Sequence, residues 1–323
     1  MNLVLDGLTG YNLVIGGLGG AEAAAEERPD LPVNVTFVWK NWLDDATLTA
    51  SHTQAGSTVE NLKKQKRKKA WVTPVNVSAP FSETVTIDFL EERSVTYFGM
   101  IEHNLPAEAT IRIQGNSSNS FSGDTPYDET ISAAESVLGY GEGVYGGGGY
   151  GGYLSVIEGK AQPPRSHFMG YDTEGNTPFF QYWKLTFTVP DLESIDHLDI
   201  GRIFMGEYFE SLLNFLYGFE QQIVDPSTID DSLGDSDVEN AKDIYSEISM
   251  KISNIGDSEL HYSFFDFYYN IGIKRNFILM LDPSTASGRW NQSFYGRFAD
   301  RMTRTGDFYN QNSLSLRFKE IVT

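Results

Sequence analysis

The chain has 323 residues, no cysteine, and 24 basic against 44 acidic side chains, for a formal charge of −20. The missing cysteine excludes disulfide frameworks, thiolate catalysis and Cys-ligated zinc, and the acidic balance argues against binding to phosphate backbones. A hydrophobic share of 40%, with 21 Phe and 17 Tyr, suffices for two domains or for one large β domain with insertions.

Residues 1–30 are rich in Gly and Ala and carry the apolar triplets Leu3-Val4-Leu5 and Leu13-Val14-Ile15. They read as an extended arm that frays or packs on a neighbouring subunit. Gly16 to Gly20 lacks the spacing of a dinucleotide fingerprint, and no Lys-Ser/Thr follows as in a P-loop. The start MNLVLDG has no basic residues before its apolar stretch, so no signal peptide is expected. No run of 18 apolar residues exists, so no membrane-spanning helix is expected either.

Val33, Val35 and Phe37 alternate as in a strand that continues through Trp39 and Trp42. Asp44 to Thr58 reads as loop. The block Lys63, Lys64, Lys66, Arg67, Lys68 and Lys69 holds six of the 24 basic residues. It suits a solvated turn, or a patch facing an acidic neighbouring subunit.

Val72 to Ile113 carries the clearest strand pattern. Val85, Ile87 and Phe89 alternate with Thr84, Thr86 and Asp88. A turn is expected at Glu91-Glu92, then strands at 95–98 and 110–113 around the corner His103-Asn104-Leu105-Pro106. The three together read as one antiparallel layer of a β-sandwich. His103, next to Asn104, is the candidate polar site there, and the structural role, in which it bonds a loop carbonyl, is the preferred reading.

Asp124 to Leu138 reads as a short helix. Gly139 to Gly152 is a Gly/Tyr tract, an excursion whose Tyr140, Tyr145 and Tyr150, with Tyr153 just beyond, are either contact residues of a binding loop or spacers. Tyr182 to Val189 is the strongest strand, with Trp183, Leu185, Phe187 and Val189 on one face. Residues 220–247 are acidic, and Asp230 to Asp237 departs from the order of a calcium loop, so no metal is assigned. Further on, Ile248 to Ile252 alternates. A helix capped by Asp257 or Ser258 should run to Tyr269 and end at Gly272. Strands follow at 277–281, 294–298 and 314–318.

These elements give a mainly β chain: an arm at 1–30, a β-sandwich over 31–215 with the Gly/Tyr insertion at 139–152, an acidic linker at 216–243, and a smaller α+β unit at 244–323. The five histidines are dispersed, and no HExxH, GxSxG or comparable catalytic motif occurs, so no enzyme, cofactor or catalytic residue is expected.

The passage YFGMIEHNLPAEATIRI (Tyr97–Ile113) resembles one that recurs in virion proteins of tailed bacteriophages. WKLTFTV (Trp183–Val189), IGRIFMGEYFE (Ile200–Glu210), ILMLDPS (Ile278–Ser284) and WNQSFYGRF (Trp290–Phe298) are similar to further passages of the same family. The resemblance implies a galactose-binding-like jelly roll in the first part. It also implies a non-enzymatic structural role in a tail or baseplate, assembled with other tail proteins in the virion after synthesis in the host cytoplasm. The arm and the basic block point to a homo-oligomer. The alternative is a carbohydrate-binding module or adhesin that contacts a host surface glycan through loop aromatics. A polysaccharide-degrading enzyme with an unrecognised carboxylate pair stands third.

Overall fold

The computed structural model describes residues 32–321 except 66–68, 77, 79, 107–108, 124, 134–164, 170–176, 191–194, 216–217, 232–236, 241 and 285–291. The strands are β1 (Thr36–Asn41), β2 (Thr47–Ala50), β3 (Trp71–Val72), β4 (Phe81–Ser94), β5 (Tyr97–His103), β6 (Thr110–Asn116), β7 (Tyr127–Ser132), β8 (Arg165–Met169) and β9 (Phe179–Val189). They continue with β10 (Asp199–Glu210), β11 (Glu220–Val224), β12 (Thr228–Asp231), β13 (Asp237–Asn240), β14 (Tyr245–Ile255), β15 (Phe277–Met280), β16 (Ser293–Phe298), β17 (Thr303–Phe308) and β18 (Gln311–Glu320). The protein is mainly β, and the described strand pairs are antiparallel.

Two sheets face each other across the first core. The smaller runs β2-β4-β9-β6-β7. Its centre is β9, whose Trp183, Leu185, Phe187 and Val189 are buried while the alternate residues are half-exposed. Val85, Ile87 and Phe89 of β4 and Ile111 and Ile113 of β6 flank it on the same face. Phe98, Met100, Ile203 and Met205 come from the opposite sheet. A sheet with one apolar face must cover it with another layer, and the chain does so by switching layers at β4–β5–β6 and at β8–β9–β10, as in a jelly-roll sandwich.

That switching corrects the expected single layer. β4 and β6 both pair with β9, whereas β5 crosses to the other sheet and pairs with β10 and β8. No turn forms at Glu91-Glu92. β4 continues to Ser94 through a bulge between Asp88 and Arg93, where Leu90 takes φ 67° and donates its N–H to Asp88 Oδ1 at 2.7 Å. A bulge bends a strand and strengthens its twist, which carries the chain over the sandwich edge. The helix expected within 124–138 is instead strand β7, paired along β6. The expected loop at 44–58 contains the end of a 3-10 turn (Trp42–Asp45) and β2.

The larger sheet runs β11-β14-β18-β16-β15-β1-β10-β5-β8, with β17 beside β18 and β3 beside β10. β1 lies between β10 and β15, so the strands after residue 244 and those before residue 215 share one continuous sheet. The acidic segment supplies β11, which pairs with β14, and the β12–β13 hairpin. A second core sits under the helical segment 257–271. Leu260, Phe264, Phe267 and Ile271 recur every three or four residues and are buried against Phe37, Phe277, Phe298 and Phe318. The helix starts after Gly256. Its first N–H, on Asp257, donates to Asn310 Oδ1 at 2.9 Å, so the cap comes from a distant hairpin and not from Asp257 or Ser258. Its middle, Leu260–Phe265, is a π turn, and Gly272 at φ 52° ends it.

Candidate functional site

The corner at His103 is structural. The ring is buried, its Nδ1 accepts the Leu105 N–H at 3.2 Å, and burial pushes its pKa down to about 3. It therefore stays neutral and fixes the β5 exit as an acceptor. Asn104 binds the same corner to β10 through its Nδ2 donation to the His197 carbonyl at 2.8 Å and through the Asp199 N–H, also at 2.8 Å.

Of the sequence-predicted interaction residues, Lys63 and Lys64 turn into local contacts. Lys63 lies 2.7 Å from Glu60 and donates to the Ala46 carbonyl; Lys64 donates to Asn61 Oδ1 at 2.7 Å. Lys69 is exposed. Lys66, Arg67 and Lys68, and Tyr140, Tyr145, Tyr150 and Tyr153, lie outside the described residues. Asp230, Asp231 and Asp237 fall on the β12–β13 hairpin, and among the described residues no three His, Cys, Asp or Glu side chains converge as metal ligands.

A carboxylate is buried at one end of the sandwich. Glu83 accepts from the Ser51 hydroxyl and lies 3.0 Å from His52 Nδ1, both at its Oε2. Serine and histidine thus converge on one carboxylate oxygen. That order ties the β2 exit to β4 and sets up no nucleophile–base pair, in which the base must hold the serine.

A more open arrangement lies where β1 and β10 pass the edge of the helix. A groove of about 230 Å³ is lined there by Trp39, Tyr208 and Tyr262, with Lys40, Glu207 and Glu210 from the strands and Ser263 and Asp266 from the helix. Alternation on β1 sends Phe37 into the second core and leaves Trp39 half-exposed at its rim, 5.9 Å from the Phe267 ring. Lys40 pairs with Glu207 at 3.0 Å and lies 5.4 Å from the Trp39 ring centroid. Glu210 Oε1 accepts the Val33 and Asn34 N–H groups at 2.9 Å each, anchoring the chain entering β1. Tyr262, in the π turn, is 84% exposed. The groove therefore offers aromatic faces beside three carboxylates and one ammonium. Sequence reading missed it because its residues come from three separated stretches; the half-buried Trp39 at the end of an alternating strand was the one available signal.

No protein-family model matches the sequence, and no curated protein is significantly similar to it. Among solved structures, the chain is similar to CpGH89CBM32-5 from Clostridium perfringens in complex with GalNAc-β-1,3-galactose, at 8% identity and a TM-score of 0.34, over 52% of this chain and 100% of that one. It is also similar to the family 32 carbohydrate-binding module of C. perfringens NanJ in complex with galactose, at 9% identity and TM-score 0.33, over 54% and 99%. Chitosan-binding module 1 of a Paenibacillus sp. chitosanase/glucanase gives 10% and 0.34, over 52% and 100%. Scores this low establish neither a shared family nor a shared ligand. Among the described residues no helix is long and apolar enough to cross a membrane.

Proposed function

We propose that the chain is a non-enzymatic binding protein that recognises a saccharide in the groove between Trp39 and Tyr262. The observation that carries this reading is the lining itself. A sugar ring has an apolar C–H face that packs on an aromatic ring and a rim of hydroxyls that need paired donors and acceptors, and small-ligand sites combine these two elements. Trp39 and Tyr262 supply the first; Lys40, Glu207 and Asp266 supply the second. Three carboxylates against one lysine disfavour an anionic sugar, so the ligand is neutral or bears an amine. Glu207 is held by Lys40 and Glu210 by backbone N–H groups, an arrangement that supports binding in place of proton transfer. The test is a panel of immobilised neutral, amino and acidic glycans. Wild-type protein should retain a neutral or amino glycan, and Trp39→Ala should weaken that retention at least about tenfold, the order expected when one aromatic contact is lost. Equal retention by the variant overturns the reading.

A second reading, a structural component of a phage tail or baseplate, is favoured by exposed assembly surfaces. β11 is a sheet-edge strand with Ile223 77% exposed, and the β17–β18 hairpin presents Phe308 and Tyr309 at 79% and 99% exposure. Unpaired edges and exposed aromatic tips are where partner chains attach. Mass spectrometry of purified virions decides it: the protein present at fixed copy number supports this reading, and its absence from intact particles removes it.

A further inference from the structure

A second groove, of about 390 Å³, opens on the solvent face of β11, β14, β18 and β17. Its position follows from register. Lys251 lies opposite Ser315, and Ser315 opposite Thr303; in the next row Glu220 lies opposite Ser249, and Ser249 opposite Arg317. Directly opposed residues of an antiparallel pair stand on the same face. The alternate residues Ile248, Met250, Ile252, Leu314 and Leu316 are buried in the second core, so these rows occupy the face that the core leaves free. Arg301, just before β17, lines the same groove.

Three cations with three interleaved hydroxyls thus gather on one face of a chain of charge −20. Arg317 is oriented by Glu247 at 2.6 Å. Lys251 and Arg301 are exposed and have no ion-pair partner among the described residues. Glu220 and Asp300 also line the groove.

From this arrangement we infer that the groove is a binding site for a carboxylated saccharide, of the uronic-acid class. The cations match the carboxylate, and Arg is suited to engage it with two parallel hydrogen bonds. Ser249, Ser315, Thr303, Glu220 and Asp300 match the sugar hydroxyls as donors and acceptors. An acidic peptide or a DNA backbone would meet Glu220 and Asp300 with like charge and few donors, whereas a uronic-acid unit carries hydroxyls beside its carboxylate that can donate to them. The inference is independent of the Trp39 groove, whose carboxylate surplus selects against such a ligand.

Calorimetric titration with trigalacturonic acid, in low and moderate salt, tests it. The wild-type protein should bind the acid, with affinity falling as salt rises. Binding should weaken at least tenfold in the double variant Lys251→Ser, Arg301→Ser, and be absent for the methyl-esterified trisaccharide. Both substituted side chains are exposed, and an unchanged melting temperature confirms the fold. Trp39→Ala should bind the acid as the wild type does. No binding in low salt, equal binding by the double variant or the ester, loss in Trp39→Ala, or equally tight binding of hexaglutamate each overturns the assignment.

Discussion

The two cores of this protein are built on one sheet by different means. The first is a sandwich: β9 lies between β4 and β6, and aliphatic and aromatic side chains, Trp71, Trp183 and Phe187 among them, fill the space between two layers of strands. The second has a sheet on one side only. The helical segment closes it with a cluster of Phe rings at 37, 264, 267, 277, 298 and 318, whose described contacts have centroids about 5 to 6 Å apart. A layer of strands seals its core along its whole width, whereas one short helix leaves a rim. Trp39 is half-buried and Tyr262 exposed at that rim, and there the candidate binding groove forms. Incomplete closure is what makes aromatic faces available to a ligand.

Because β1 joins the two halves, the comparison concerns closure and not independent folding. Trp183→Ala in the first core and Phe267→Ala in the second should each cost about 3–5 kcal/mol, the usual range for truncating a buried aromatic. Both should lower one shared unfolding transition in denaturant. Two separate transitions, each sensitive to only one substitution, would break the claim of a common sheet. A proteolytic cut near residue 215, the expected boundary of the sandwich, should leave two fragments held together by the β1–β15 pairing.

Acid should loosen the His103 corner first. His103, in the sandwich, has its pKa lowered by burial from 6.5 to about 3. The folded chain therefore refuses a proton that the unfolded chain accepts. Stability from this group is full above pH 6.5 and falls as the pH drops toward 3, by a total of about 5 kcal/mol. Asp44 and Asp199, raised by burial, act in the opposite sense, with stability lost as the pH rises above 3.8. Replacing His103 by Gln should flatten the acid limb of a stability–pH curve. Hydrogen exchange at pH 4 should quicken at β5 before it quickens at β15; simultaneous loss at both strands would contradict this ordering.

A smaller and symmetrical effect is expected at two glycines. An added Cβ at Gly206 on β10 would meet the Lys40 carbonyl of β1, and one at Gly296 on β16 would meet the Lys319 carbonyl of β18. Both obstacles are backbone, which cannot move aside as a side chain does. Gly206→Ala and Gly296→Ala should each cost about 1–3 kcal/mol, measured by chemical denaturation. Gly306→Ala, with open space around it, should be close to neutral.

The framework was legible in the sequence where alternation was strong. The passages at 97–113, 183–189, 200–210, 278–284 and 290–298 that resemble phage virion proteins map onto β5, β6, β9, β10, β15 and β16, which pair as β5–β10, β6–β9 and β15–β16. They are sheet-building stretches, and among them only the end of β10, from Glu207 to Glu210, reaches the candidate groove. What the period-two pattern could not show was which layer a strand joins: β5 is as apolar as its neighbours because both its faces are covered, with Phe98 and Met100 on one and Tyr97 and Ile101 on the other. The bulge at Leu90 was invisible because a left-handed residue of this type has no sequence marker. β7 was mistaken for a helix because its two apolar residues, Tyr127 and Ile131, stand four positions apart, a spacing that a helix face also shows, with the polar Glu129 at the inward position between them. The groove was hidden for a different reason. Its position depends on β1 passing the helix edge, a relation between residues 39 and 262 that no local pattern encodes.

The most direct test of saccharide recognition at the incomplete rim reads the tryptophans themselves. The chain has five Trp, each giving one indole N–H signal in a two-dimensional NMR spectrum. On titration with the glycan retained best in the panel, the Trp39 signal should shift in a saturable way while those of the buried Trp71 and Trp183 stay in place. A saturable shift confined to other residues, with Trp39 unmoved, would contradict the account.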